Sequence, residues 1–228
     1  MKIAVCIPLY GDAKGPFAIC LARMLVHTLA TTAPSGERFE IEVFTETSTD
    51  LVANRTALLK RAIEWQARYV LWLDADHVFP PDALLRLIGH GLGVVGCNYL
   101  RRHEPLRPVT ARQGADGEWE YVWTTADLAD RGVVEEVAHV GLGLCLIDLN
   151  VLHQVKARVE EGVGWAHWEP FERRLVPGTQ MRMSEDVSFF HELRDAGVAV
   201  HVDHRLSWET GHIAERTMTF AMVEKPAS

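Results

Sequence analysis

The sequence predicts an α/β fold: a mostly parallel central sheet flanked by helices, followed by a smaller polar meander. Three observations predict it. Through the first hundred residues, apolar runs of strand length alternate with amphipathic segments of helical length, the pattern of a parallel sheet covered on both faces. After Leu100 the texture turns polar, and Pro105, Pro108, Gly114 and Gly117 break any further strand–helix unit. The composition, 48% hydrophobic and 24% charged over 228 residues, is enough for a full core.

Taken in order, Ile3 to Leu9 reads as a buried strand stopped by Pro8 and Gly11. Pro16 to Thr32 reads as a helix, with Pro16 in its first turn and Ile19, Met24 and Leu25 on one face. Phe39 to Thr45 alternates apolar and polar residues, a second strand. Asp50 caps a helix running to about Arg68. Tyr69 to Leu73 is a third strand, Asp82 to about Gly89 a short helix, and Val94 to Leu100 a fourth strand. Beyond the polar stretch, Val133 to Leu149 holds apolar runs broken by Gly141 and Gly143. Gly162 to Ser184, with two tryptophans and two prolines, is long enough to suggest a functional loop or lid. Ser184 to Ala196 reads as a helix with Ser184 as cap and Glu185 and Asp186 in its first turn, where carboxylates suit the dipole. Val198 to Val202 is a last strand, and 221–228 a frayed tail.

The totals also exclude some functions. A net charge of −8 argues against a protein that grips nucleic acid through its phosphates. None of the four cysteines, Cys6, Cys20, Cys97 and Cys145, forms a C-x-x-C pair, and three sit in apolar runs, as expected of reduced thiols in a cytoplasmic protein. No apolar run approaches the ~18 residues of a membrane helix.

The stretch Tyr69 to Leu87, YVLWLDADHVFPPDALLRL, poses the chemical question. A buried strand runs straight into Asp74 and Asp76. Like charges at one strand end repel, and desolvating them costs free energy unless something positive sits there. Alternate residues of an extended chain point the same way. Ligands of open α/β sheets bind outside the carboxyl ends of the strands. Two oxygen ligands so placed suit Mg²⁺ or Mn²⁺ held together with substrate phosphates. The plainer alternative is a carboxylate capping the turn before Pro80.

In order along the chain, several pieces resemble the nucleotide-sugar-dependent glycosyltransferases of the GT-A fold, especially the family-2-like group. IAVCIPLYG is similar to their first strand, FTETSTD to the second strand and its acidic turn, and ANRTALLKRA to the helix that follows. VLWLDADHVFPPDALLRL matches the strand carrying D-x-D. HVGLGLCLIDLNVL is similar to the Gly-rich strand before the acceptor region, SEDVSFFHELRDAGVAVHVD to the Glu-Asp helix and next strand, and ETGH to the terminal metal-site histidine. The usual acidic-acidic-Gly turn is Glu46-Thr47-Ser48 here.

The resemblance implies a single Rossmann-like GT-A domain over 1–228. About 1–100 would bind the donor, a UDP- or GDP-linked sugar, and about 101–220 would bind an unspecified acceptor and carry catalysis. It implies Pro8, Tyr10, Glu46, Asn54, Arg55 and Asp74 at the nucleotide-sugar and Asp74, Asp76 and His212 on Mn²⁺ or Mg²⁺. Asp186 would be the base of an inverting transfer, with Glu185 as second choice, and Gly141, Gly143, Trp165 and Trp168 would lie at the acceptor.

Bland alternatives stand beside these roles. Glu185 and Asp186 also serve helix-end electrostatics, the tryptophans can anchor their loop, and the glycines can kink a strand. Arg101 and Arg102 are equally surface arginines or diphosphate partners, and His77, which is placed to approach the ligand, reads more readily as a turn residue. His201, Asp203 and His204 suggest zinc, but strand alternation puts His201 and Asp203 on one face and His204 on the other, so they read as surface residues. The D-x-D run also fits haloacid-dehalogenase-like phosphatases, with Asp74 as nucleophile. A non-catalytic sugar-nucleotide-binding module and a sugar-phosphate nucleotidyltransferase are further rivals.

Overall fold

The computed structural model describes residues 1–33, 35–102, 104–114, 118–161, 167–176, 180–214 and 217–219. In chain order its first half comprises β1 (Lys2–Leu9), α1 (Gly15–Leu29), β2 (Glu40–Thr47), α2 (Leu51–Glu64), β3 (Tyr69–Leu73), β4 (His77–Val78), α3 (Ala83–Gly89) and β5 (Val94–Gly96). The second half adds β6 (Ala111–Gln113), β7 (Trp119–Tyr121), α4 (Ala126–Asp130), β8 (Val134–Val137) and β9 (Leu144–Asp148). It closes with α5 (Leu152–Glu161), α6 (Glu185–Asp195), β10 (Val200–Asp203), α7 (His204–Glu209), β11 (Gly211–Ile213) and β12 (Thr217–Met218).

Seven strands form the central sheet in the order β2-β1-β3-β9-β5-β10-β8. β1, β2, β3, β5 and β10 run one way, and β9 and β8 the other. The alternation of β1 explains the two-sided burial. Ala4 and Cys6 face a core with α2 and α6, whereas Ile3, Val5 and Ile7 face a core with α1 and α3. Asp50 caps α2 through Ala53 N at 3.2 Å, as its position before the apolar run requires.

The Gly-rich run departs from a parallel reading. β9 lies antiparallel between β3 and β5. Its first residues therefore return to the carboxyl end of β3, and Asp74 N donates to Gly143 O at 3.1 Å. Further elements carry no expectation from periodicity: α5, α7, and the small sheet β12-β11-β4.

The segment after α5 is not a structureless loop where it is described. Phe171 is buried against Trp72 and Phe189, and Trp168 is buried with its indole N–H on Glu192 Oε2 at 2.7 Å. Trp165 and the tail 221–228 lie outside the described residues. His204 and Asp203 are buried rather than superficial. His204 bridges Thr124 and Glu135, and Asp203 caps α7 while binding His90 at 2.8 Å. The four cysteines are free thiols. No helix among the described residues is long and apolar enough to cross a membrane.

Candidate functional site

The carboxyl ends of β1, β2 and β3 lie side by side, because Leu9 pairs with Thr47 and Cys6 with Trp72. A cavity of about 630 Å³ opens over them. Pro8, Tyr10, Asn54, Asp74, Asp76 and His212, all anticipated from the sequence, line it. So do Lys14 and Arg102, two cations beside the carboxylates. Asn54 is buried and locked: its amide N–H donates to Leu9 O and Ser48 O, each at 3.3 Å, and its oxygen accepts from Ser48 Oγ at 2.7 Å. It shapes the floor by joining the ends of β1 and β2.

The two carboxylates have different partners, which answers why the chain tolerates them together. Asp74 Oδ1 accepts from Arg55 Nη2 at 3.0 Å. Asp76 meets Arg102 Nη1 at 2.8 Å, His77 Nδ1 at 3.2 Å and His212 Nε2 at 3.4 Å. Burial opposes the charged form of Asp76, but the hydrogen bonds and charge of His212 and His77 hold its carboxyl far below the usual range.

Asp76, His77 and His212 have potential ligand atoms within 4.8 Å of one another. Asp74 lies outside this cluster. The two histidines face each other because β4 and β11 pair antiparallel with His212 opposite His77, and the rings stack at 4.4 Å. His212 Nδ1 lies 2.9 Å from Leu100 O, which only accepts, so Nδ1 carries a proton. Nε2 then faces Asp76 Oδ2 at 3.4 Å, and either a second proton on the ring or a divalent cation between the two satisfies the contact. One carboxylate with imidazoles suits Mn²⁺ better than Mg²⁺. The carbonyl behind His212 is the outer partner that orients a ligating ring. His77, read from the sequence as a turn residue rather than a ligand neighbour, is fully buried in β4, and its signal is a pairing across more than a hundred residues.

Other anticipated residues stand elsewhere. Arg55 is 3% exposed and does not line the cavity. It sits between Asp74 and Glu185, whose Oε1 is 3.8 Å from Nε. Burial alone would weaken its protonated form, but Asp74, Glu185 and Asp186 outweigh this and hold its pKa above the ordinary value. Glu185 is buried too, also pairs with Arg173 at 3.5 Å, and is pushed up by burial and by Asp186. Asp186 is half-buried, accepts from the Ser184 hydroxyl, and is close enough to act on Arg55, Tyr99 and His139. The Ser184 hydroxyl thus serves Asp186 and does not cap α6. Glu46 pairs with Arg61 at 3.7 Å and stays off the cavity.

Three residues expected at the acceptor have packing roles. A Cβ at Gly141 would overlap the Tyr99 hydroxyl, and one at Gly143 would come within 2.5 Å of His77 Cε1. These glycines make room for the Tyr99–His77–His212 cluster, and Gly143 N donates to Tyr99 Oη at 3.1 Å. Trp168 anchors its segment to α6.

Among solved structures the chain is similar to "A197 from STIV", at 16% identity and a TM-score of 0.51, covering 100% of this chain and 99% of that one. It is also similar to GalNAc-T7 crystallised with UDP, GalNAc and Mn²⁺, at 12% identity and a TM-score of 0.51, covering 93% of this chain and 44% of that one. The fold is that of GT-A glycosyltransferases. A Drosophila β1,4-galactosyltransferase 7 mutant complexed with manganese, UDP-Gal and xylobiose matches at 15% identity and a TM-score of 0.48, over 93% of this chain and 71% of that one. No family model and no curated protein matches the sequence.

Proposed function

We propose that the chain is a metal-dependent glycosyltransferase of the family-2-like kind, moving a sugar from a nucleoside-diphosphate sugar, UDP-linked, to an acceptor hydroxyl. The observation that carries this reading is the Asp76–His77–His212 cluster on the wall of a cavity that also presents Lys14 and Arg102. Carboxylate, imidazole and cations in one concavity suit a diphosphate and a divalent ion together. The GT-A fold, which GalNAc-T7 shows with UDP and Mn²⁺ bound, supports the choice of ligand.

Asp76 and His212 hold the ion, with His77 behind them, and the ion would supply charge stabilisation to the departing diphosphate. Arg102, on Asp76 in this structure and half exposed, exchanges that carboxylate for a phosphate oxygen when donor binds. Lys14 adds a second cation beside the diphosphate. Asp74, fixed by Arg55, is the hydrogen-bond acceptor for a donor hydroxyl. In an inverting transfer the acceptor oxygen bonds to the anomeric carbon as the bond from that carbon to the diphosphate oxygen breaks. The acceptor's proton goes to Asp186, and the nucleoside diphosphate leaves with the bonding pair. Glu185 is a poorer base because Arg55 and Arg173 already hold it. The phosphatase reading needs Asp74 as a free nucleophile, whereas its Oδ1 is paired to a buried arginine.

Calorimetric titration with UDP, with and without Mn²⁺, tests the proposal, alongside hydrolysis of a panel of UDP- and GDP-sugars. Asp76→Ala should keep the fold and lose Mn²⁺-dependent nucleotide binding. Metal-independent affinity unchanged in that variant would sink it.

A further inference from the structure

A second cavity, of about 620 Å³, lies over the β6–β7 hairpin and against α6. We propose that it binds the acceptor, and that the acceptor is a glycoside carrying an anionic substituent, a carboxylate or a phosphate. This rests on the transferase reading above and names the substrate class it left open.

The first argument is shape and surface. Trp119 lines the cavity and is 48% exposed, with its ring supported at 5.6 Å by His139. An indole so placed is a platform for the C–H face of a sugar ring. Tyr121, 37% exposed, lies in the same wall.

The second argument is charge. Arg101 and Arg194 both line the cavity, and among the described residues neither is ion-paired to a carboxylate. Of the lining carboxylates, Glu120 meets Arg112 at 3.3 Å, and Asp195 meets the His191 imidazole at 3.3 Å, which offsets its charge only when protonated. Arg194 sits in the last turn of α6, where a cation also suits the helix end. Arg101 has no such duty, and its guanidinium lies 5.8 Å from the Tyr121 ring centre. In a chain of net charge −8, unneutralised arginines gathered in one concavity favour an anion there. Burial pushes the His139 imidazole below its usual pKa, with Asp186 opposing and Arg194 and Arg101 adding to the effect. It therefore offers a neutral hydrogen-bonding wall.

The third argument is position. Ser184 and Val187, on either side of the Glu185–Asp186 pair, line this cavity. Asp186 itself does not line the cavity, but its chain neighbours do, so a ligand held on Trp119 lies beside the first turn of α6.

The test is ligand-observed and protein-observed NMR titration with three probes: methyl glucuronide, glucose 1-phosphate and methyl glucoside, each with and without UDP plus Mn²⁺. At least one anionic probe should bind roughly tenfold tighter than the neutral glucoside, as one charge-assisted hydrogen bond allows. Which anion is preferred distinguishes carboxylate from phosphate. Arg101→Gln should erase the preference, and Trp119→Ala should weaken all three probes. Both side chains are exposed, and thermal unfolding checks that the variants fold. No binding in either arm, equal binding of charged and neutral probes, or titrations unchanged in both variants would overturn the proposal. The UDP and Mn²⁺ titration is read separately. Its failure would remove the transferase reading and leave glycoside binding to this cavity standing, so the two failures are distinguishable.

Discussion

A guanidinium buried as deeply as that of Arg55 is stable only among carboxylates, and the chain gives it Asp74 at 3.0 Å and Glu185 at 3.8 Å. The arrangement ties the end of β3 to the first turn of α6, the two places to which the proposed transfer assigns its carboxylates. Arg55→Met should therefore cost about 3–5 kcal/mol, because it strands the buried Glu185 and the partly buried Asp74 rather than removing a surface pair. Urea unfolding measures it, and a loss below ~1 kcal/mol would show that the carboxylates find other partners. Asp186, one residue beyond Glu185, carries a separate expectation. Asp186→Asn keeps the side chain's size and removes its basicity, so turnover should fall by ~10²–10⁴. Donor and Mn²⁺ affinity should hardly change, since the proton moves only during transfer. Rescue of that variant by added Mn²⁺ would reassign Asp186 to the metal.

At the scale of elements, α7 decides where His212 stands, because α7 leads directly into β11. Asp203 caps α7 through Leu206 N at 2.8 Å and binds His90, two residues beyond the apolar face of α3. Burial raises the Asp203 pKa, but the bond to His90 and the backbone N–H groups outweigh it, so the carboxyl sits below its ordinary range. A depressed folded pKa stabilises above the unfolded value, about 4, and that contribution disappears as the pH falls through the folded value. Asp203→Ala should thus lose about 1–2 kcal/mol at pH 7, the usual loss of a cap with its ion pair. The difference from wild type should shrink on acidification in pH-dependent urea melts, and a constant difference would show that the charge plays no part. None of this was legible in HVDH, where strand alternation suggested surface residues. The β1–α1–β2–α2–β3 half was legible, because each run buries one face locally and Asp50 and Pro16 mark helix starts. The direction of β9 was not, since periodicity gives no sign of which way a strand runs. Gly141 and Gly143 looked like acceptor contacts for the same reason: the Tyr99 and His77 side chains they admit arrive from elsewhere in the chain. The D-x-D was legible as two carboxylates at the end of a buried strand, whereas the pairing of His77 with His212, and of Asp74 with Arg55, needed the third dimension.

On the scale of the whole molecule, the first cavity draws on distant parts of the chain: the ends of β1, β2 and β3, the loop before α1, the first turns of α2, Arg102 and β11. A ligand that spans them must stabilise the folded state as a unit, by RT ln(1 + [L]/Kd). With UDP and Mn²⁺ at a hundred times their dissociation constants, this is about 2.7 kcal/mol. For a chain of 228 residues, each kcal/mol moves the melting temperature by about 2–4 °C. The expected rise is therefore roughly 5–10 °C, and either ligand alone should give less. His212 sits in the three-residue middle strand of the small sheet, and its side chain is 12% exposed. His212→Ala should therefore lower the unliganded melting temperature by a few degrees, about 1–2 kcal/mol of stability, while abolishing most of the Mn²⁺-dependent rise above that value. Calorimetric scans of both proteins, with EDTA and with increasing Mn²⁺ at fixed UDP, make the comparison. The same liganded rise in both would show that His212 holds no metal, and would leave Asp76 and His77 to do so without it.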